Sequence, residues 1–137
     1  MTTRRVFVDT SAWYAVADSG DANHEVGARV FAGLIGERAR LLTTNHVVGE
    51  TYTLLRVRLG GTAAHAFLRS IRASGQAQRV FVLPEWEGAT EELLLHYVDQ
   101  DFSYVDATSF VTMRRLSIQD AFTFDRHFSV AGFSTVG

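Results

Sequence analysis

The sequence predicts an α/β fold in which a mostly parallel sheet is covered on both faces by helices. Three observations carry this. The 137-residue chain alternates short apolar runs with longer segments of helical period. Its two clearest strand candidates, Val6-Phe7-Val8 and Val80 to Leu83, are apolar throughout, as strands buried on both faces are. Its apolar fraction of 47% and charged fraction of 20% suit a globule with a substantial core, and its length suits one domain, residues 1–137.

In chain order, the Val6–Val8 strand is followed by a helix from about Ser11 and a second from about Asp21 to Arg38. Leu41-Leu42-Thr43 reads as a strand. Asn45 is placed to cap a helix running to about Leu59, which Gly60-Gly61 breaks. A helix from Thr62 to about Ala73 follows. The Val80–Leu83 strand stops at Pro84, the only proline. Glu85 to about Val98 is helical. Ser103 opens a helix to about Leu116, Ala121–Phe124 is a strand, and Phe133–Val136 is a last, edge strand.

Composition excludes several chemistries. There is no Cys, so disulfides, cysteine nucleophiles and thiolate zinc sites are absent. All 13 basic residues are Arg, which removes Walker A phosphate binding and Schiff-base chemistry. No stretch approaches the length of a membrane span and no signal peptide is evident, so a soluble, cytoplasmic protein is expected.

In parallel α/β sheets, ligands bind outside the carboxyl ends of the strands. Asp9 ends the first strand and Asp125 ends the Ala121–Phe124 strand. Capping of the next helix is the alternative role for such an Asp. Glu50 shares a helix face with Val47, Leu54 and Val57, and so sits on or beside an apolar stripe. Its alternative is a stripe-edge Glu reaching to water. Asp106 shares a face with Phe110 and Met113, and Ser103-x-x-Asp106 resembles a capping box. A first-turn carboxylate can cap and bind at once. Four acids brought together repel unless neutralised, so at least one should hold its proton to a raised pKa. With no Cys and no paired His, the ligands are oxygens, which suit Mg²⁺ or Mn²⁺. Setting four of the 15 acids aside leaves 11 against 13 Arg, a mildly basic remainder compatible with a phosphate-rich substrate.

These residues resemble the PIN-domain family of metal-dependent ribonucleases, and within it the small VapC-type toxins. The resemblance rests on Val6-Phe7-Val8-Asp9-Thr10-Ser11-Ala12-Trp13, Val47-Val48-Gly49-Glu50-Thr51, Ser103-Tyr104-Val105-Asp106-Ala107 and Ala121-Phe122-Thr123-Phe124-Asp125-Arg126-His127-Phe128, followed by Gly132-Phe133. It covers essentially the whole chain. It implies a three-layer α/β/α sandwich and Mg²⁺-dependent cleavage of RNA, with Mn²⁺ as a substitute. Asp9 and Asp106 are implied as the principal metal ligands. Glu50 and Asp125 complete the site directly or through water, and Ser11 supports it by hydrogen bonding. The resemblance also implies a homodimer and a small antitoxin partner. A non-catalytic PIN-fold binding module and a housekeeping RNA-processing nuclease are the alternatives. A phosphotransferase of the haloacid-dehalogenase type needs a second Asp where Ser11 stands.

Among the remaining residues, His127 reads as structural, His24 as a first-turn residue, Asp101 as a loop residue and Asp120 as the opening of a strand. Arg56, Arg58, Arg69 and Arg72 belong either to a solvated face or to a phosphate-contacting one. Trp13 and Tyr14 belong to the core or a dimer surface. For the dimer, Trp13, Val30, Phe31 and Leu34 are the apolar residues expected to be exposed. The acidic 85–98 helix, with Glu85, Glu87, Glu91 and Glu92, is expected to face away from RNA.

Overall fold

The computed structural model describes residues 3–137. Five strands form one sheet: β1 (Arg5–Val8), β2 (Arg40–Thr44), β3 (Ala77–Val80), β4 (Asp120–Phe122) and β5 (Ser134–Val136), in the order β3-β2-β1-β4-β5. Every pairing is parallel. The helices are α1 (Thr10–Ala17), α2 (His24–Gly36), α3 (Asn45–Leu59), α4 (Gly61–Ala73), α5 (Pro84–His96), α6 (Tyr104–Arg115) and the short α7 (His127–Val130). None is long and apolar enough to cross a membrane among the described residues.

Central β1 carries the most buried stretch. Val6, Phe7 and Val8 are fully buried, in register with Leu41 and Leu42 on one side and Ala121 and Phe122 on the other. Phe7, Phe110 and Phe128 form an aromatic chain with centroids 6.4 and 4.9 Å apart. Phe128 stacks on Phe7 and meets Phe110 edge-on, and each ring adds large buried area. Helix α6 is buried along nearly its whole length, from Asp106 to Met113. Its Thr108 and Thr112 hydroxyls donate to carbonyls one turn back, at 2.8 Å each, so no buried hydroxyl there is left bare.

Several boundaries differ from the sequence expectation. The third strand is Ala77–Val80, not Val80–Leu83. Its ladder with β2 runs from Leu41↔Ala77 to Thr44↔Val80, and Thr44 then leaves the sheet to cap α3. With no partner beyond Thr44 the apolar run cannot continue as strand. Phe81 and Leu83 are consequently exposed, and the Val82 N–H donates to Asn45 Oδ1 at 3.0 Å instead. The cap of α3 is therefore Thr44 rather than Asn45. Helix α2 starts at His24, because Asp21 folds a turn on the Asn23 N–H at 3.0 Å. The fourth strand stops at Phe122, and α7 went unforeseen because four residues carry no period. Gly60 behaves as expected: with φ at +102° it ends α3 and begins α4, a conformation that a Cβ would strain.

The apolar surface expected on the first two helical segments is partly internal. Trp13 and Leu34 are buried, while Val30 and Phe31 are half-buried. Trp13 packs between the rings of Phe31 and Phe67, at 6.0 and 5.9 Å, and its indole N–H donates to Thr43 Oγ1.

Candidate active site

Asp9 follows β1 immediately. Its own N–H bonds the Phe122 carbonyl at 3.1 Å, so it is pinned between β1 and β4 at their carboxyl ends. Its side chain is buried and caps α1. One oxygen, Oδ2, accepts from Ser11 Oγ at 2.9 Å, Thr123 Oγ1 at 3.1 Å and the Ser11 N–H at 3.4 Å. Oδ1 accepts none of these three bonds. The cap thus occupies one carboxylate oxygen and leaves the other outside it.

Asp106 sits in the first turn of α6 in a complete capping box: Ser103 Oγ accepts from the Asp106 N–H at 3.0 Å, and Asp106 Oδ2 accepts from the Ser103 N–H at 3.1 Å. Asp125 lies three residues beyond β4, not at the strand end itself. Its N–H donates to Thr123 Oγ1 and its Oδ1 accepts from the His127 N–H, both at 2.9 Å. Glu50, on α3, is half-buried with no hydrogen bond or ion pair among the described residues. All four acids line one cleft of about 270 Å³, with Ser11, Tyr14, Asp21, Asn23 and Arg58.

Electrostatics mark the same place. Burial pushes the Asp9 carboxyl from 3.8 up to about 6, against the lowering bond from Ser11, with the Asp106 charge adding to the rise. Asp106 is raised too, chiefly by burial; the Ser103 backbone bond opposes this and the Asp125 charge reinforces it. The expected raised pKa is present, but desolvation leads and mutual repulsion comes second.

Two participants escaped the sequence reading. Thr123 is buried and joins Asp9 to Asp125, donating to the first and accepting from the backbone of the second. A lone hydroxyl between Phe122 and Phe124 was its available signal. His127, read as structural, does pack edge-on to Phe102 at 5.5 Å. Its Nδ1, however, stands 3.0 Å from Asp125 Oδ1 and 3.4 Å from Asp106 Oδ2, beside the cluster. The one-residue step from Asp125-Arg126 into α7 turns its ring inward. Of the four Arg weighed for phosphate contact, Arg58 alone lines the acidic cleft, its guanidinium 5.0 Å over the Tyr14 ring. His24 is a first-turn residue bonded to the Ala15 carbonyl, Asp101 is an exposed loop residue, and Asp120 opens β4. None of the four glutamates of α5 lines the cleft; Glu87 pairs with His46 at 2.9 Å.

A parallel α/β sandwich whose first and fourth strands lead acids into one cleft defines a class of oxygen-rich, acidic sites at the carboxyl ends of the strands. The chain belongs to the PIN domain family, whose model matches residues 6–134. It is 42% identical over 131 residues to the 23S rRNA-specific endonuclease VapC20 of Mycobacterium tuberculosis, covering 96% of this chain and 97% of that one. It is 30% identical over 125 residues to a VapC ribonuclease of Archaeoglobus fulgidus, covering 90% and 78%. The crystal structure of M. tuberculosis VapC20, described as a sarcin-ricin loop cleaving toxin, superposes with a TM-score of 0.89 at 41% identity, over 96% of this chain and 98% of that one. FitAcB from Neisseria gonorrhoeae, at 14% identity and a TM-score of 0.65 over 96% of each chain, shares the fold.

Proposed function

We propose that the chain is a divalent-metal-dependent endoribonuclease, the toxin of a toxin–antitoxin pair, with Asp9, Glu50, Asp106 and Asp125 as its acidic site. The observation that carries this is the convergence of those four acids, from distant parts of the sequence, on one cleft at the carboxyl ends of β1 and β4. The donor set fits a hard divalent ion, Mg²⁺ with Mn²⁺ as substitute: carboxylate oxygens predominate, Asp9 Oδ1 stands outside the Ser11 and Thr123 bonds, and the buried His127 Nδ1 has no hydrogen-bond partner among the described residues. Such an ion supplies Lewis-acid charge to a phosphodiester and lowers the pKa of water.

The chain's own residues do the positioning. Ser11 and Thr123 hold Oδ2 of Asp9, which lines the cleft. The Ser103 N–H fixes Asp106, and the His127 N–H fixes Asp125. Glu50, with no hydrogen bond among the described residues, is the carboxylate placed to accept a proton from attacking water; Asp125 is the second choice. Arg58, steadied on Tyr14, is the cation available to a backbone phosphate. Similarity to a 23S rRNA-specific endonuclease over nearly the whole of both chains supports ribosomal RNA as the substrate class. A small antitoxin is the partner we infer. An apolar groove of about 320 Å³, with Val16, Phe31, Ala66 and Ser70 at its accessible rim, is the concave surface offered to an inserted segment.

The test is cleavage of ribosomal RNA with Mg²⁺, with excess chelator, and by Asp9→Asn. We expect cleavage to stop with chelator and to fall at least about 100-fold in Asp9→Asn, since Lewis-acid stabilisation is worth several kcal/mol. Undiminished cleavage in chelator would remove the metal from the mechanism. Metal binding and RNA binding without cleavage would instead favour a non-catalytic module.

A further inference from the structure

Carboxylates alone would make the site all oxygen, and one atom breaks that pattern. His127 is the first residue of α7, and its backbone N–H already serves Asp125 Oδ1. The ring is held edge-on by Phe102, with an interplanar angle of 88°. Its Nδ1 is buried and makes no hydrogen bond among the described residues, although two carboxylate oxygens lie 3.0 and 3.4 Å away. A buried imidazole nitrogen so close to two acceptors, yet out of line with both, is placed poorly for donation. It is placed well for sharing something with them. Atoms at adjacent corners of an octahedron, each about 2.1 Å from the ion, are about 3.0 Å apart. The two observed separations are near that edge. One ligand atom each from Asp106, Asp125 and His127 lies within 4.8 Å of the others.

We propose that His127 is a ligand of the divalent ion through Nδ1, beside Asp106 and Asp125, and that this nitrogen biases the site toward Mn²⁺ over Mg²⁺. The inference rests on the metal-dependent reading above. Imidazole nitrogen is a better donor to first-row transition metals than to Mg²⁺, which prefers oxygen and retained water. Coordination fixes the tautomer, with the proton on Nε2. The competing role is a positioning one, with Nδ1–H directed at Asp125 and no contact to the ion.

Pulsed electron paramagnetic resonance of the full chain carrying one equivalent of Mn²⁺ separates the two. Coordination predicts nitrogen-14 modulation from a histidine, converted to a nitrogen-15 pattern when histidine is labelled. In His127→Gln, which offers an amide oxygen instead, the modulation should vanish. The preference for Mn²⁺ over Mg²⁺, measured as a ratio of dissociation constants, should fall by on the order of tenfold. Bound Mn²⁺ without histidine modulation in the parent protein overturns the inference, as does unchanged modulation in His127→Gln. If that variant fails to fold, the labelled parent decides alone. Failure of the parent to bind Mn²⁺ at all overturns the metal-dependent reading beneath it as well.

Discussion

At Asp9 the needs of folding and of function oppose each other. The carboxyl is buried, and its pKa rises from 3.8 to about 6. At 1.36 kcal/mol per pH unit, ionising it in the fold costs about 3 kcal/mol. Well below pH 3.8 the group is protonated whether folded or not, and the cost is absent. It grows as pH rises past 3.8 and is complete above about 6. Without metal, stability should therefore decline over that window. Metal needs the ionised form, so Mg²⁺ affinity should weaken by up to tenfold per unit as pH falls below 6, with proton release on binding, both measurable by calorimetry. Thr123 belongs to the same balance, because its hydroxyl bond lowers the Asp9 pKa. Thr123→Val should raise that pKa further, cost about 1–2 kcal/mol of stability in denaturant titration, and weaken metal binding about 10–100-fold.

At the scale of elements, the capping box of α6 positions Asp106 and anchors the helix in one arrangement. Ser103→Ala removes the acceptor for the Asp106 N–H but keeps the backbone donor to its carboxylate. It should cost about 1 kcal/mol in thermal or urea unfolding, with a smaller effect on cleavage than Asp106→Asn. Much of this level was legible in advance. Val6–Val8 announced a strand buried on both faces because all three residues are apolar. Ser103-x-x-Asp106 announced the start of α6, and Gly60-Gly61 the break between α3 and α4. The third strand was misplaced because apolarity alone does not extend a ladder: β2 had already ended at Thr44. Asp9 and Asp106 stood out as acids beside apolar neighbours. Thr123 and His127 did not, since their roles depend on side-chain directions set by the bend after Phe122 and by a single-turn helix.

For the whole molecule, 13 Arg stand against 11 acids outside the proposed site, and Arg58 lines the acidic cleft. RNA binding should weaken steeply with salt, and Arg58→Gln should reduce the slope of log K against log salt by about 0.7–0.9, one phosphate contact. We also propose a homodimer, as the sequence resemblance implies, but not through Trp13 and Leu34, which are internal. Light scattering at tens of micromolar is its check, and a monomer there would count against it. The central claim is that four acids form a metal site at the expense of metal-free stability. Thermal unfolding of the parent and Asp9→Asn, with and without Mg²⁺ at pH 7.5, tests it most directly. Metal-free Asp9→Asn should equal or exceed the parent by about 0.5–2 kcal/mol. Mg²⁺ at about 100 times its dissociation constant should stabilise the parent by about 2.7 kcal/mol and the variant by little. A strongly destabilised metal-free variant, with Mg²⁺ shifting both proteins equally, would make Asp9 a structural cap and contradict the account.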